Sequence, residues 1–240
     1  MDQIQSQFQL LLRDQGIEVD AEQLTQFETY FKELVTWNEK MNLTGITERD
    51  QVYVKHFYDS LSLSFYVNMK NVHSLADIGS GAGFPGIPLK ICFPHIKLTI
   101  VDSLNKRIQF LQNIVDKLSL ENVELIHGRA EDVARKPQYR DQFDLVTARA
   151  VARMAVLNEF CLPFVKVGGT FAAMKGSDPR EEVEEATRSM KVLNGKLLNS
   201  HHFTLPMDSS DRHIILVKKI AATPKAYPRK AGTPLKTPII

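Results

Sequence analysis

The sequence predicts an α/β protein in which a doubly wound, mainly parallel sheet follows an N-terminal helical extension. From Ser74 onward, short apolar runs alternate with longer helical patterns, as expected when a crossover helix follows each parallel strand. Near the end, two strand-like segments are joined only by Pro206–Arg212. This connection is too short for a helical crossover, so these two strands should pair as an antiparallel hairpin.

Size and composition fit one large domain, or one domain with a small addition. The chain has 240 residues and is 43% hydrophobic, which is ordinary for a soluble protein with a sizeable core. No apolar run approaches the roughly 18 residues that a membrane span requires, and the start lacks the pattern of a signal peptide. Cys92 and Cys161 are far apart, which argues against a disulfide and a zinc site. We therefore expect a cytoplasmic protein without a metal.

Residues 1–65 form the predicted helical extension. Asp20 with Gln23 predicts a capping box at the start of its second helix. A later helical stretch contains His56 and Asp59, which stand three residues apart and would be neighbours on one face. Such a pair orients an imidazole for chemistry or forms a local structural hydrogen bond, and the pattern leaves both interpretations open.

The sheet domain is predicted over residues 66–220, from apolar runs bounded by turn residues and from helical periodicity between them. The predicted strands are Ser74–Ile78, Leu98–Asp102, Val123–His127, Phe143–Ala148 and Thr170–Met174, followed by the hairpin strands Lys196–Leu205 and His213–Ile220. The predicted helices between them are Ile87–Phe93, Leu104–Leu120, Ala130–Lys136, Arg153–Val165 and Pro179–Leu193.

A glycine-rich loop follows the first predicted strand. Gly79, Gly81 and Gly83 alternate with small residues, and a missing Cβ lets another group approach the backbone closely. This arrangement holds a nucleotide at the carboxyl edge of many α/β sheets. The spacing fits the G-x-G-x-G of S-adenosylmethionine (SAM) enzymes and, with Gly86, the dinucleotide fingerprint; a turn without a ligand is the third interpretation. The terminal hairpin favours SAM, because NAD-binding domains usually lack one.

Acidic residues follow the next two strands. Asp102 stands 19 residues after Gly83, a spacing at which an acid accepts hydrogen bonds from the ribose of either cofactor. The alternative is that Asp102 caps the following helix. Ala130 and Glu131 follow the third strand, in a loop of the kind that holds an adenine, although Glu131 or Asp132 could equally cap a short helix.

Arg149 lies just beyond the fourth predicted strand, where doubly wound sheets present active-site groups. The sequence there lacks the Asn/Asp-Pro-Pro-aromatic motif of adenine amino methylation. Neither Cys92 nor Cys161 is placed to supply the thiolate that methylation of pyrimidine C5 requires. The pattern therefore argues against both of these reactions.

The last predicted unit is a basic, proline-rich arm over residues 221–240. Residues 1–60 hold 11 acidic and 5 basic residues, whereas Arg212–Ile240 holds seven basic residues and no acid. Four prolines after Ile220 predict an extended arm without regular structure. Such an asymmetry favours an arm that faces a polyanion over a solubilising tail, and its RNA-binding candidates are Lys225, Arg229, Lys230 and Lys236.

Seven stretches between residues 37 and 234 carry a family resemblance. They are Trp37-Asn38 with Asn42-Leu43-Thr44, His56–Leu61, Asp77–Gly86, Gly128–Glu131, Arg149–Ala152, Lys175-Gly176 and Tyr227–Pro234. In them the chain resembles the RsmG/GidB family of bacterial 16S rRNA guanine-N7 methyltransferases. The His-x-x-Asp-Ser and Tyr-Pro-Arg-Lys motifs are more specific than the glycines.

The resemblance implies a Rossmann-like class I SAM-dependent methyltransferase that methylates N7 of a guanine in the helix-18 loop of 16S rRNA, in the small ribosomal subunit. It implies that SAM is bound by Gly79, Phe84, Ala130, Glu131 and Arg149, with Asp102 on the ribose. Phe84 has plain core packing as its alternative. The loop glycines Gly81 and Gly83 complete the predicted cofactor site.

Guanine N7 has a free lone pair, so no general base is needed, and His56, Asp59 and Arg149 are positioning candidates rather than catalytic residues. A monomer is favoured, although the sequence does not fix the oligomeric state. Two other functions stay open: an NAD-dependent oxidoreductase, and a protein that binds RNA without turnover.

Overall fold

Seven β-strands form one sheet in the computed structural model of the chain, which describes residues 2–176, 178–207 and 209–240. The strands are β1 (Ser74–Ile78), β2 (Lys97–Asp102), β3 (Val123–His127), β4 (Phe143–Arg149), β5 (Val165–Lys175), β6 (Gly195–Thr204) and β7 (Asp211–Lys219). Their order is β3-β2-β1-β4-β5-β7-β6. The first five are parallel, and β7 pairs antiparallel with both β5 and β6. The predicted doubly wound sheet with a terminal hairpin is therefore confirmed.

Helices cover both faces of the sheet. The helices that precede the first strand along the chain are α1 (Gln3–Arg13), α2 (Ala21–Met41), α3 (Arg49–Val52) and α4 (Asp59–Leu61). Those between strands are α5 (Gly86–Cys92), α6 (Asn105–Lys117), α7 (Ala130–Val133), α8 (Met154–Cys161), α9 (Arg180–Glu185) and α10 (Thr187–Val192). The helix after the last strand is α11 (Thr233–Lys236). Side chains alternate along a strand, so Leu75 packs in the core with α2, α5 and α6, and Ala76 in the core with α7, α8 and α10. No helix in the described residues is long and apolar enough to span a membrane.

The N-terminal helices share a core with the sheet. The predicted capping box is present at the start of α2, where Asp20 and Gln23 each accept a hydrogen bond from the other's backbone N–H. Phe27 is fully buried, in one cluster with residues of α5 and α6. Between α3 and α4 the chain forms a π-helical turn, Tyr53–Tyr58. The division of the chain at residues 65 and 220 stays a prediction.

Most predicted element boundaries differ from the structure by only a few residues. There are two exceptions. The predicted helix Pro179–Leu193 is divided into α9 and α10, and β5 begins at Val165 rather than at Thr170. Its early part contains Gly168 and Gly169, which have no side chains to show the alternating pattern of a strand. The preceding helix consequently ends at Cys161 rather than at Val165.

The C-terminal segment corrects the prediction of an extended arm without regular structure. Thr223, Pro228 and Pro234 are buried, and Thr233–Lys236 forms the short helix α11. Proline is compatible with this helix because Pro234 lies in its first turn, where no backbone donor is needed. The prediction was wrong because the partners that hold the segment lie far away in the sequence, and composition does not reveal them.

Candidate active site

The glycine loop between β1 and α5 has the strained backbone that its sequence predicts. Gly79, Gly81 and Gly83 have φ values of +71°, +63° and +98°, in the region that favours glycine. A Cβ on Gly83 would lie 2.5 Å from the Tyr30 hydroxyl oxygen, whereas a Cβ on Gly81 would meet no atom within 4 Å. Gly83 therefore serves packing, and Gly81 faces open space.

The buried carboxylates of Asp77 and Asp102 accept hydrogen bonds from residues of this loop. Asp77 Oδ2 accepts hydrogen bonds from Ser80 Oγ at 2.6 Å and from the Gly86 N–H at 2.8 Å. Burial raises the pKa of Asp77 to about 6, although these hydrogen bonds oppose the rise. Asp102 Oδ2 accepts from the Gly81 N–H at 3.0 Å, and its Oδ1 accepts from the Leu104 N–H at 2.9 Å. Asp102 thus joins the loop to the residue before α6. The N-cap of α6 is Leu104 and no side chain caps it, so the alternative interpretation of Asp102 as a helix cap is wrong. Its contact with a ribose stays a prediction.

A cavity of about 310 Å³, which we call the glycine-loop cavity, lies at the carboxyl ends of β1, β2 and β3. Its walls are mainly apolar, and they include the backbone of Gly79 and the carboxylate of Glu131. The lining residues are Ile78, Gly79, Val101, Ser103, Gly128, Arg129, Ala130, Glu131, Val151, Phe160 and Leu235. Three predicted cofactor residues, Gly79, Ala130 and Glu131, are therefore brought together here.

A second cavity, of about 300 Å³, lies on the other side of the β4 carboxyl end, and we call it the Arg149 cavity. Its walls carry several cations and one buried carboxylate. The lining residues are Ile46, Lys55, His56, Asp59, Arg149, Ala150, Met174, Lys175, Gly176, Phe203, Arg212, His213 and Ile214. Arg149 and Ala150 line this cavity, and Val151 lines the other, so one short segment separates the two.

Asp59 binds two arginines at the wall of the Arg149 cavity. Its Oδ2 accepts from Arg149 Nη1 at 3.0 Å, and its Oδ1 lies 3.2 Å from Arg212 Nε. The Asp59 side chain is only 7% exposed, so solvent screens these interactions weakly. Arg212 was missed by the sequence prediction. The register of the hairpin brings it here, because its neighbour His213 pairs with Lys175 at the end of β5.

His56 is held as a neutral ring. Its Nε2 lies 2.8 Å from Thr44 Oγ1, and its ring stacks on Phe84 at a centroid distance of 4.6 Å. Burial, together with the neighbouring charge of Arg149, lowers the pKa of His56 to about 3. Among the described residues, Asp59 bonds to arginines and not to His56, so the predicted mutual contact of His56 and Asp59 is wrong.

Phe84 does not line either cavity. It is 5% exposed, and the guanidinium carbon of Arg149 lies 4.9 Å from its ring centroid. The ring therefore supports His56 and Arg149 from behind, as its packing alternative predicts. Gly81, Gly83 and Asp102 likewise shape the loop without lining a cavity. Arg149, which was also predicted to bind the cofactor, lines only the Arg149 cavity. Contact of these five residues with a cofactor stays a prediction.

The four predicted RNA-binding residues have different environments. Lys225, Lys230 and Lys236 are exposed. Arg229 instead forms an ion pair with the buried carboxylate of Glu159. Its Nε lies 3.1 Å and its Nη2 lies 2.7 Å from Glu159 Oε2. The Arg229 side chain is partly buried and its guanidinium is paired with Glu159, whereas the three lysines remain candidates for phosphate contacts.

The described residues include no reactive thiolate and no cluster of side chains that could bind a metal ion. Cys161 is fully buried in α8, and burial raises the pKa of its thiol and that of Cys92. No group of three or more His, Cys, Asp or Glu side chains is placed to hold a metal within the described ranges.

Comparisons with known proteins agree with this geometry. A sequence profile of the GidB family, described as rRNA small subunit methyltransferase G, matches residues 23–215. Proteins named ribosomal RNA small subunit methyltransferase G from Brevibacillus brevis and Bacillus cytotoxicus are 56% and 55% identical to the chain, covering 98% and 97% of it and 98% of each relative. The solved structure of an O-methyltransferase from Bacillus cereus in complex with SAH has a TM-score of 0.55 at 14% identity, covering 79% of this chain and 91% of that one. This last likeness supports the fold alone.

These matches decide between the functions left open by the sequence. They confirm the predicted methyltransferase class over an NAD-dependent oxidoreductase. They also confirm the resemblance inferred from the seven sequence stretches, since the profile covers most of them. The chain belongs to the rRNA small subunit methyltransferase G family.

Proposed function

We propose that the chain transfers the methyl group of SAM to N7 of a guanine in the helix-18 loop of 16S rRNA. The observation that carries the proposal is a pair of cavities on either side of one segment, Arg149–Val151. One cavity adjoins the glycine loop, and the other is rich in cations and has no cysteine among its described lining residues. A donor site next to an acceptor site is the arrangement that group transfer requires.

The glycine-loop cavity has the chemistry to hold the nucleoside part of SAM. Its volume of about 310 Å³ is at the lower end of the range for small-molecule sites. Ile78 and Val101 supply apolar walls for a flat base, and Glu131 supplies an acceptor that is 4% exposed. The open space beside Gly81 leaves room for a group to approach the loop backbone.

The Arg149 cavity has the chemistry to hold a guanine. The Watson–Crick edge of guanine offers two adjacent N–H donors and the acceptor O6. We infer that Asp59 accepts from the donors, while Arg149 or Arg212 donates to O6 or to a phosphate. Arg149 and Arg212 both pair with the Asp59 carboxylate, and these contacts fix the three side chains before the guanine enters. This lowers the entropy cost of positioning the guanine.

The reaction needs little from acid–base groups. SAM supplies a methyl group bonded to a positively charged sulfur. Guanine N7 forms the new bond to the methyl carbon while the carbon–sulfur bond breaks, and the electron pair of that bond stays on sulfur. Because N7 carries no proton, the protein has only to align the base and to accommodate the charge that moves. His56 suits this account as a support for Phe84 and Arg149, since a ring with a pKa of about 3 is a poor base at neutral pH.

We therefore expect a flat pH profile. The single-turnover rate at saturating substrate should change little between about pH 6.5 and 9, because the pKa values of His56, about 3, and Asp77, about 6, both lie below this range. Rapid-quench measurement of methyl transfer from labelled SAM gives this rate. A one-proton dependence that disappears in His56→Ala would contradict the mechanism.

The substrate and setting follow from the same account. We infer that the chain binds 16S rRNA, either free or within the small ribosomal subunit, in the cytoplasm, with Lys225, Lys230 and Lys236 touching phosphates. One chain supplies both cavities, which favours a monomer, and the proposal involves no membrane.

A further inference from the structure

The C-terminal segment Tyr227–Lys236 is fastened to the protein by side chains from α7, α8 and the loop before β4. Arg135 Nη2 donates to the Pro228 carbonyl oxygen at 2.5 Å, and Arg140 Nη1 donates to that of Tyr227 at 2.8 Å. These bonds satisfy backbone acceptors that an irregular segment leaves without partners. The segment is therefore an integral part of the fold.

A buried ion pair fixes the middle of this segment. The Glu159 side chain is 1% exposed, and its Oε1 accepts from the Arg229 backbone N–H at 2.6 Å and from Arg229 Nε at 3.0 Å. Without Arg229, the carboxylate would be left charged and buried, which is strongly unfavourable. Glu159 is adjacent in α8 to Phe160, a wall of the glycine-loop cavity. The ion pair thus places the segment at the edge of that cavity.

The end of the segment enters the cavity wall itself. The Gly232 N–H donates to Glu131 Oε1 at 2.8 Å, which orients the carboxylate predicted to contact the cofactor. Leu235 lines the same cavity, although 58% of its surface is exposed. A leucine that is exposed and also borders a cavity adds little to folding, and a ligand in the cavity would cover it.

We propose that Tyr227–Lys236 is the outer wall of the SAM site, with Leu235 as a contact for the nucleoside and Gly232 as the positioning partner of Glu131. This inference rests on the proposed use of the glycine-loop cavity by SAM. It assigns to the C-terminal segment a role in cofactor affinity in addition to any role in RNA binding.

The first test compares Leu235→Ala and Leu235→Gln with the wild-type protein by calorimetric titration with SAM. The dissociation constant should rise by about 3- to 10-fold in both variants, because part of one leucine surface is no longer covered on binding. The melting temperature without SAM should stay within about 2 °C, since an exposed side chain contributes little to folding. In turnover, KM for SAM should rise while kcat stays unchanged.

The matched control is the double variant Lys225→Ala/Lys230→Ala, which changes exposed residues of the same region. It should bind SAM as the wild type does, while its salt slope of RNA binding should fall by about 1.4 to 1.8 if both lysines touch phosphate.

A second measurement uses the unmodified protein. Saturating SAM should slow amide hydrogen exchange in Tyr227–Lys236 at least about threefold, because a ligand against Leu235 suppresses local opening of the segment.

Wild-type SAM affinity in both Leu235 variants, or unchanged exchange in the segment, would overturn the inference and leave the proposed function standing. Failure of the wild-type protein to bind SAM would overturn both.

Discussion

Replacing Gly81 with valine should weaken SAM binding at least about 100-fold while the protein stays folded. A Cβ at this position would meet no atom within 4 Å, so we expect the valine side chain to occupy the open space through which a ligand reaches the loop. The φ of +63° adds a backbone cost of about 1–2 kcal/mol or somewhat more for a branched side chain. A typical domain tolerates this loss, because its stability is about 5–15 kcal/mol. Calorimetry with SAM and thermal melts measure the two effects separately.

Gly168→Val is the matched control for this variant. Gly168 also has a positive φ, +82°, and a Cβ there would likewise meet no atom within 4 Å. It lies near the amino end of β5, whereas both cavities lie at the carboxyl ends of the parallel strands. The control should lose similar stability and keep its SAM affinity. Unchanged SAM affinity in a folded Gly81→Val protein would show that the loop does not form the cofactor site.

Asp59→Asn should reduce the single-turnover rate of methyl transfer by about 10²-fold. A guanine that is held out of line with the methyl group reacts more slowly by roughly this factor. The amide keeps the shape of the carboxylate but holds Arg149 and Arg212 less firmly, and it presents a mixed donor and acceptor to the guanine edge. SAM affinity should change less than about threefold, since Asp59 lines only the other cavity.

Glu185→Gln is the control for loss of an ion pair. Its partnership with Arg153 is exposed, with side chains 48% and 59% accessible, so its removal should leave both rate and affinity unchanged. If Asp59→Asn transferred methyl groups at the wild-type rate, Asp59 would not position the guanine.

The parallel strands could be predicted because they are short apolar runs bounded by turn residues. β1 and β3 have the predicted limits, since an abrupt change to Gly79 or Gly128 marks each end. The glycine loop was recognisable for the same reason: backbone geometry that only glycine tolerates leaves a trace in the sequence.

The rest of the site depends on contacts that sequence periodicity does not carry. Arg229 and Glu159 are 70 residues apart, and neither residue type alone indicates that a basic segment will be buried against an acid. Arg212 reaches Asp59 only because the hairpin register places it beside the end of β5. The π-helical turn that precedes Asp59 likewise departs from the regular helix on which the predicted contact between His56 and Asp59 depended.

The central claim concerns which atom is methylated, and mapping the modified base tests it most directly. The purified protein and labelled SAM would be added to small ribosomal subunits from a strain that lacks this protein, and the 16S rRNA would be analysed by nuclease digestion and mass spectrometry. The account predicts one new methyl group per particle, on N7 of a guanine in the helix-18 loop. A methyl group on another atom or in another region of the RNA, or no transfer from bound SAM, would contradict it.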